Sequence, residues 1–145
     1  MRIAVLVVIA GLLAGCGADR SESLPAACSG GPSAFTKALA SAPGAVTIDG
    51  KTPISHCFNR GASGDDVQIV GTMLLAVAQQ LGDKARAGDG TAALRLGYLI
   101  GAARRGAKRN GLGDEIVRRL EAETAVAAAQ RAAYDRGLRA GSAEG

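Results

Sequence analysis

Apolar residues in the middle of the chain recur at spacings of three and four positions, the period of a helix that packs one face onto a core. They are Val67, Val70, Leu74, Val77 and Leu81, and Ile69, Met73 and Ala76 widen the same seam. Ser63 followed by Asp66 is typical of a capping box at a helix start. We therefore predict an amphipathic helix over residues 64–86 that ends near Gly88.

A second seam with the same period follows Asp89. It consists of Ala92, Leu96, Leu99 and Ala103, and it is widened by Ala93 and Ile100. This pattern predicts a helix over residues 91–110, ended by Gly111. Gly97 and Gly101 share one side of it, and such a pair joins helices in membranes. Because arginines interrupt the segment, it does not span a membrane, and we expect the small face to pack against a neighbouring helix of the same chain.

Asp114 and Glu115 open a third predicted helix, which extends to about residue 138. Its stripe is made of Val117, Leu120, Thr124, Ala127, Arg131, Tyr134 and Leu138. Beyond Leu120 the stripe is weak, because residues 125–133 are rich in alanine and have little to bury. We expect this second half to project from the body or to fray, and residues 139–145 to form a disordered tail.

The segment before these helices contains shorter signals. Phe35, Ala38 and Leu39 have helical spacing in a stretch opened by Pro32 and Ser33 and stopped by Pro43 and Gly44, which predicts a short helix. Asp49 and Gly50 lie between β-forming residues and predict a tight hairpin turn. Since Pro53 weakens the second arm, we expect at most a marginal hairpin.

The start of the chain has the pattern of an export signal. Arg2 precedes eleven mostly apolar residues, from Ile3 to Leu13. This run is too short to span a bilayer as a helix, which takes about 20 residues. Its length is that of the hydrophobic region of a signal peptide.

The apolar run ends in Leu13, Ala14, Gly15 and Cys16. These four residues resemble the lipobox of bacterial lipoproteins, in which the cysteine receives a diacylglyceryl group and a signal peptidase cuts just before it. The resemblance implies a signal peptide over residues 1–15, lipidation of Cys16, and attachment to the cell membrane on its extracytoplasmic side. The alternative is a secretory signal with an accidental cysteine, which leaves the match at four positions unexplained. Residues 16–27 predict a short tether.

Cys28 and Cys57 are the remaining cysteines once Cys16 carries lipid. An exported protein meets an oxidising compartment, so we predict a disulfide between them. A metal site made by these cysteines and His56 is the alternative. It is disfavoured because His56 and Cys57 are adjacent, so their side chains diverge, and a fourth ligand at zinc spacing is missing.

Four cations gather at the end of the second predicted helix: Arg104, Arg105, Lys108 and Arg109. Cations suit the negative end of a helix, so a solvated face is the simpler explanation. The functional alternative is contact with anionic lipid headgroups, because the tether is short. The formal net charge of +4 is a weak excess for this length and argues against a nucleic-acid partner.

Catalytic constellations are missing from the sequence. His56 is the single histidine, and neither a nucleophile elbow nor a phosphate-binding loop is present. The acidic pairs Asp65, Asp66 and Asp114, Glu115 stand at predicted helix starts, where the helix dipole explains them without a metal. We therefore expect no enzyme activity, no cofactor and no metal site.

These patterns predict one mostly α domain over residues 28–138. It is a small bundle of three main helices, plus a short N-terminal helix and hairpin segment stapled by the disulfide. We expect a lipoprotein that acts by binding, as an interaction or structural module of the cell envelope with a protein partner. A small-ligand or lipid-binding domain is the alternative, although the scarcity of aromatic residues counts against a ligand pocket. An apolar cavity between the first two main helices would favour a ligand, and an uncharged exposed stripe on the last helix would favour a protein.

Overall fold

The computed structural model of this protein describes residues 23–58, 62–108 and 111–145. The predicted signal segment, Cys16 and Arg109 lie outside the described residues. Within these ranges the chain is mostly helical, no β-strand is present, and Cys28 is bonded to Cys57. The prediction of a mostly α fold with this disulfide is confirmed.

The described part of the chain forms five α-helices. They are α1 (Gly31–Ala38), α2 (Gly64–Arg86), α3 (Gly90–Ala107), α4 (Gly111–Ala122) and α5 (Arg131–Glu144). Short 3₁₀ turns flank α1, precede α2 and precede α5. The bundle therefore has one more long element than the three main helices expected.

The loop between α1 and α2 contains the predicted turn. The Asp49 side chain accepts a hydrogen bond from the backbone N–H of Thr52, at 2.7 Å. Beyond this turn a single antiparallel bridge joins Thr47 to Pro53. Proline has no N–H to extend a ladder, so the predicted marginal hairpin stops at one bridge.

Both helices of the centre begin at side-chain caps. Ser63 accepts a hydrogen bond from the backbone N–H of Asp66 at 3.1 Å, which starts α2. Asp89 accepts from the backbone N–H groups of Thr91 and Ala92, at 2.8 and 3.0 Å, and starts α3. These bonds satisfy backbone donors that have no partner within the first helical turn. The predicted bounds of α2 are confirmed at both ends, and α3 ends three residues earlier than predicted.

Helix α3 is the centre of the molecule. It packs against α2, α4, α5 and the turn Ile54–Phe58, so its apolar and small residues are buried on nearly every side. Tyr98 is completely buried, and its hydroxyl accepts a hydrogen bond from the backbone N–H of Val46, at 3.3 Å. Burial raises the pKa of the Tyr98 hydroxyl. The disulfide-bonded segment is thus joined to the bundle through α3.

The third predicted helix is corrected to two helices. α4 ends at Ala122, the chain is extended over residues 124–127, and α5 begins at Arg131. The Thr124 hydroxyl donates to the backbone carbonyl of Glu121, at 2.7 Å. Side-chain bonds of this kind compete with helix continuation. The expected continuous stripe from Val117 to Leu138 is therefore broken, and the chain returns to α3.

The expectation of a projecting second half and a disordered tail at residues 139–145 is wrong. Arg131–Glu144 form a helix that packs along α3. Gly137 and Gly141 of α5 lie against the α3 backbone at Leu94 and Tyr98, while Gly97 and Gly101 of α3 lie against the α5 backbone at Tyr134 and Leu138. The predicted close packing of Gly97 and Gly101 is confirmed. Because glycine has no Cβ, two paired glycine faces allow backbone contact that alanine-rich helices could not otherwise reach.

Candidate functional site

The residues first considered for chemistry are not gathered into a cleft. His56 is exposed, and its neighbour Cys57 is committed to the disulfide. In residues 23–58, 62–108 and 111–145 no three His, Cys, Asp or Glu side chains form a group that could hold a metal ion. The helices of the same ranges include none that is long and apolar enough to cross a membrane.

Two cations of the predicted basic patch contact other helices. Arg104 pairs with Glu121 of α4, with Nε 2.7 Å from the carboxylate oxygen. Arg105 donates to the backbone carbonyls of Ser142 and Ala143 at the end of α5. These carbonyls have no partners within their own helix, so Arg105 acts as a cap for α5. Both side chains are exposed.

The rest of the patch is less defined. Lys108 is exposed at the end of α3, and Arg109 is beyond the described part of the chain. Arg104 and Arg105 are directed to different neighbours, one to α4 and one to α5. The contacts of these two arginines therefore support a structural role, in which they join α3 to α4 and α5. Contact with lipid headgroups stays a prediction.

A different surface, on α2, combines exposure with a lack of charge. None of residues 67–82 is charged, and eight of them are exposed or partly exposed. We call this set the α2 surface: Gln68, Ile69, Thr72, Met73, Leu75, Ala76, Gln79 and Gln80. It runs for about 18 Å along the helix, from residue 68 to residue 80, at 1.5 Å per residue. Ile69 is 53% exposed and Leu112 is 55% exposed, and these are the two exposed large apolar side chains among the described residues.

The α2 surface corrects part of the predicted seam. The core face of α2 is Val67, Val70, Leu74, Val77 and Leu81, all buried as predicted. Ile69 and Ala76 were expected to widen that face, and instead they are exposed to solvent. α2 buries one side only, and these five residues fill it together with the buried small residues Gly71, Ala78, Gly82 and Ala85.

A groove between α2 and α4 borders the α2 surface. Gly64 lies near Leu112, Gly71 near Ile116 and Gly82 near Glu123, so the two helices run in the same direction. A Cβ at Gly71 would be 2.7 Å from the Ile116 side chain, which means that the glycine allows this close approach. The groove has a volume of about 420 Å³.

The groove has an apolar interior and charged edges. Leu75 and Ile116 line it, together with Leu112, which is 55% exposed. Glu115 at the edge accepts hydrogen bonds from Arg118 and Arg119, each with a shortest distance of 2.8 Å. These two guanidinium groups lower the pKa of Glu115 to about 2. The charged residues that line the groove are Asp65, Glu115 and Arg119, which together carry one more negative than positive charge near pH 7.

The sequence contained a signal for this surface that periodicity alone does not reveal. Most helical turns of the domain carry at least one charged residue, whereas α2 has none between Asp66 and Asp83. Charge depletion on an exposed face is typical of the core of a protein interface. The sequence does not show which of these uncharged residues are exposed, because that depends on how α2 packs against α3, α4 and the N-terminal segment.

Comparison with known proteins leaves these features without a counterpart. No protein-family model matches the chain. No curated protein and no solved structure matches it either. The function must therefore be argued from the residues and their geometry.

Proposed function

We propose that this protein is a lipid-anchored component of the cell envelope whose helical domain binds another protein and has no catalytic role. The observation that carries the proposal is the use of its three cysteines. Cys28 and Cys57 form the disulfide, and Cys16 ends a lipobox-like sequence. Disulfides persist in extracytoplasmic compartments, so this disulfide supports the same extracytoplasmic location as the lipobox-like sequence.

The binding role is supported by the α2 surface. Its exposed residues are uncharged over four helical turns, and Ile69 is more than half exposed. Patches of this kind on otherwise charged domains are the usual sign of a protein contact. The uncharged exposed stripe expected for a protein partner therefore lies on α2, whereas the sequence pattern placed it on the last helix.

The alternative to a protein partner is a small amphipathic ligand that binds in the groove between α2 and α4. The groove between α2 and α4 falls within the size range of ligand sites, which is about 300–1,000 Å³. Its lining includes Leu75, Leu112 and Ile116, with Arg119 at the edge. Its other charged lining residues are Asp65 and Glu115, so such a site suits an apolar molecule with a cationic group. It lies between α2 and α4, and the sequence-based alternative placed it between α2 and α3.

The anchor is tested by comparing two cysteine variants. Cys16→Ala removes the thiol that would carry lipid, so we expect the uncleaved precursor or a form released from membranes. The measurement is incorporation of an alkyne-labelled fatty acid, together with membrane fractionation. The matched control is the Cys28→Ala, Cys57→Ala double variant, which we expect to remain lipidated and membrane-bound. Lipid labelling of the Cys16→Ala protein would contradict the proposed anchor.

A further inference from the structure

The groove between α2 and α4 is lined by one stripe of residues from each helix. The residues of each stripe recur at helical spacing, so they lie on one side of their helix. They include Asp65, Thr72 and Leu75 of α2, and Leu112, Ile116 and Arg119 of α4. Because α2 and α4 run in the same direction, both stripes begin at the same end of the groove. From residue 65 to residue 75 the groove is about 15 Å long, at 1.5 Å per residue.

The floor of the groove is apolar and narrow. Gly64 and Gly71 present no side chain to it, and Ile116 lies directly against Gly71. A helix is about 10–12 Å across, so it would rest on the edges of the groove, because α2 and α4 are in contact beneath it. A single extended aliphatic chain is narrow enough to lie along Leu75, Leu112 and Ile116, and its burial there removes apolar surface from water.

The two ends of the groove differ in charge. Asp65 is in the first turn of α2, whereas Arg119 lines the groove further along. The Asp65 carboxylate is exposed and has no ion-pair partner among the residues that the structure describes. Asp66 beside it adds a second negative charge, so the positive end of the helix dipole, worth about half an elementary charge, does not neutralise this end.

Glu115, the other acidic residue of the groove lining, is already engaged by two arginines. Its oxygens accept hydrogen bonds from Arg118 and Arg119, so a cation placed there would also meet two guanidinium groups. An anion at Arg119 would compete with Glu115, whose oxygen is 2.8 Å from the Arg119 Nε. The charges therefore favour a cation at the Asp65 end of the groove and an uncharged group at the Arg119 end.

We propose that the groove between α2 and α4 binds a small molecule made of an aliphatic chain and one ammonium group. The ammonium group pairs with Asp65, and the chain extends over Leu112 and Ile116 towards Leu75. This inference rests on the ligand alternative of the proposed function, since it names the ligand class of the same groove. It does not use Ile69, on which the proposed binding of a protein partner depends.

The first experiment uses octylammonium that carries a photo-reactive diazirine in the middle of its chain. The full-length lipidated protein is irradiated with this probe in native membranes. Adducts are located by peptide mass spectrometry, which distinguishes labelling of the groove from probe dissolved in the lipid. We expect labels within residues 65–75 and 112–119. A control probe with the same chain and a terminal hydroxyl group is expected to label these segments about fivefold less, the upper range for one exposed ion pair.

The second experiment removes the charge that the ammonium group requires. Asp65→Asn keeps the size of the side chain and is expected to lower labelling by the ammonium probe about fivefold, to the level of the hydroxyl probe. Asp114→Asn is the matched control, because Asp114 is also an exposed acid in the first turn of a helix but does not line the groove. Equal labelling of Asp65→Asn and wild type by the ammonium probe would overturn the proposed ammonium site.

The third experiment blocks the path of the aliphatic chain. Thr72→Trp places a large side chain in the groove and is expected to abolish its labelling by both probes. Gln80→Trp is the control, since Gln80 is exposed on the same helix but does not line the groove. Circular dichroism confirms that each variant is folded. Labelling that persists in a folded Thr72→Trp protein would show that the chain does not lie in the groove, and would overturn the proposal.

The charge at the far end of the groove provides a test with the wild-type protein. A diamine, 1,8-diaminooctane, has a second ammonium group that would lie over apolar residues and near Arg119. We expect it to compete with the photo-reactive probe about fivefold less well than octylammonium does. Equal competition by the two amines would contradict the proposed direction of the chain in the groove.

The outcomes separate failure of this inference from failure of the ligand alternative. Equal labelling of the groove by the ammonium and hydroxyl probes would overturn the ammonium site and leave an apolar ligand site standing. Absence of label from the groove with both probes would overturn both. Neither result affects the proposed protein partner, whose contact is assigned to the α2 surface.

Discussion

Single glycines decide how closely the two most intimately packed helices approach. Gly137 and Gly141 of α5 meet the backbone of α3, and Gly97 and Gly101 of α3 meet the backbone of α5. Glycine is a poor helix former, costing about 1 kcal/mol relative to alanine. That cost is offset here because each glycine permits direct van der Waals contact over the backbone of the facing helix.

At the residue scale, Gly137→Ala is expected to destabilise the protein despite its better helix propensity. A Cβ at this position would overlap the carbonyl oxygen of Leu94. We expect a loss of roughly 2–3 kcal/mol, typical of overpacking in a rigid site. The measurement is urea unfolding followed by circular dichroism. Gly111→Ala is the matched control, because no atom lies within 4 Å of its added Cβ. An unchanged midpoint for Gly137→Ala would show that α3 and α5 are not in backbone contact.

Whole helices in this protein depend on their neighbours more than on their own propensity. α5 contains three exposed arginines and only three buried residues, two of them glycine. An isolated helix of its length is marginal in water. Its position is therefore maintained by α3 and by Arg105, which caps its last carbonyls.

At the element scale, a chain that ends after Leu138 is expected to be less stable than the complete chain. It lacks Gly141 and the carbonyls that Arg105 caps, so part of α3 becomes exposed. We expect a loss of about 2 kcal/mol, in the ordinary range for removal of a buried contact and a cap. Thermal unfolding of both chains provides the measurement. A truncated chain as stable as the full one would restore the view that this segment is a disordered tail.

The whole molecule is organised around α3, with the disulfide at one side of it. Cys28 and Cys57 are both fully buried in the same core cluster as Tyr98 and Leu96. The disulfide encloses a segment that contributes four fully buried apolar side chains to the core: Phe35, Leu39, Val46 and Ile54. The N-terminal segment thus depends on a covalent link as well as on packing.

At the scale of the molecule, the Cys28→Ala, Cys57→Ala double variant is expected to be less stable by roughly 3–4 kcal/mol. The closed segment has a sequence separation of 29 residues, and its release increases the entropy of the unfolded chain. The midpoint of guanidinium unfolding is the measurement. The wild-type protein unfolded in the presence of reductant serves as the control and should approach the variant. Identical midpoints for oxidised wild type and variant would contradict a stabilising disulfide.

Local pattern was sufficient for α2, the cap at Ser63, and the disulfide. The first two depend on the spacing of apolar residues and on hydrogen bonds within one turn. The disulfide followed from cysteine count and compartment. The resemblance of residues 13–16 to a lipobox is likewise a local sequence signal, and the proposed location of the protein depends on it.

Tertiary structure alone decided the division of the last helix, the order of residues 139–145 and the exposure of Ile69. Each depends on a partner distant in sequence: α5 is held by the glycine face of α3, and Ile69 is exposed because the other side of α2 fills the core. Residue spacing defines which side chains share a face, but it does not define which face meets the rest of the molecule. That choice is made by competition for one core, and here it left the uncharged side of α2 facing solvent.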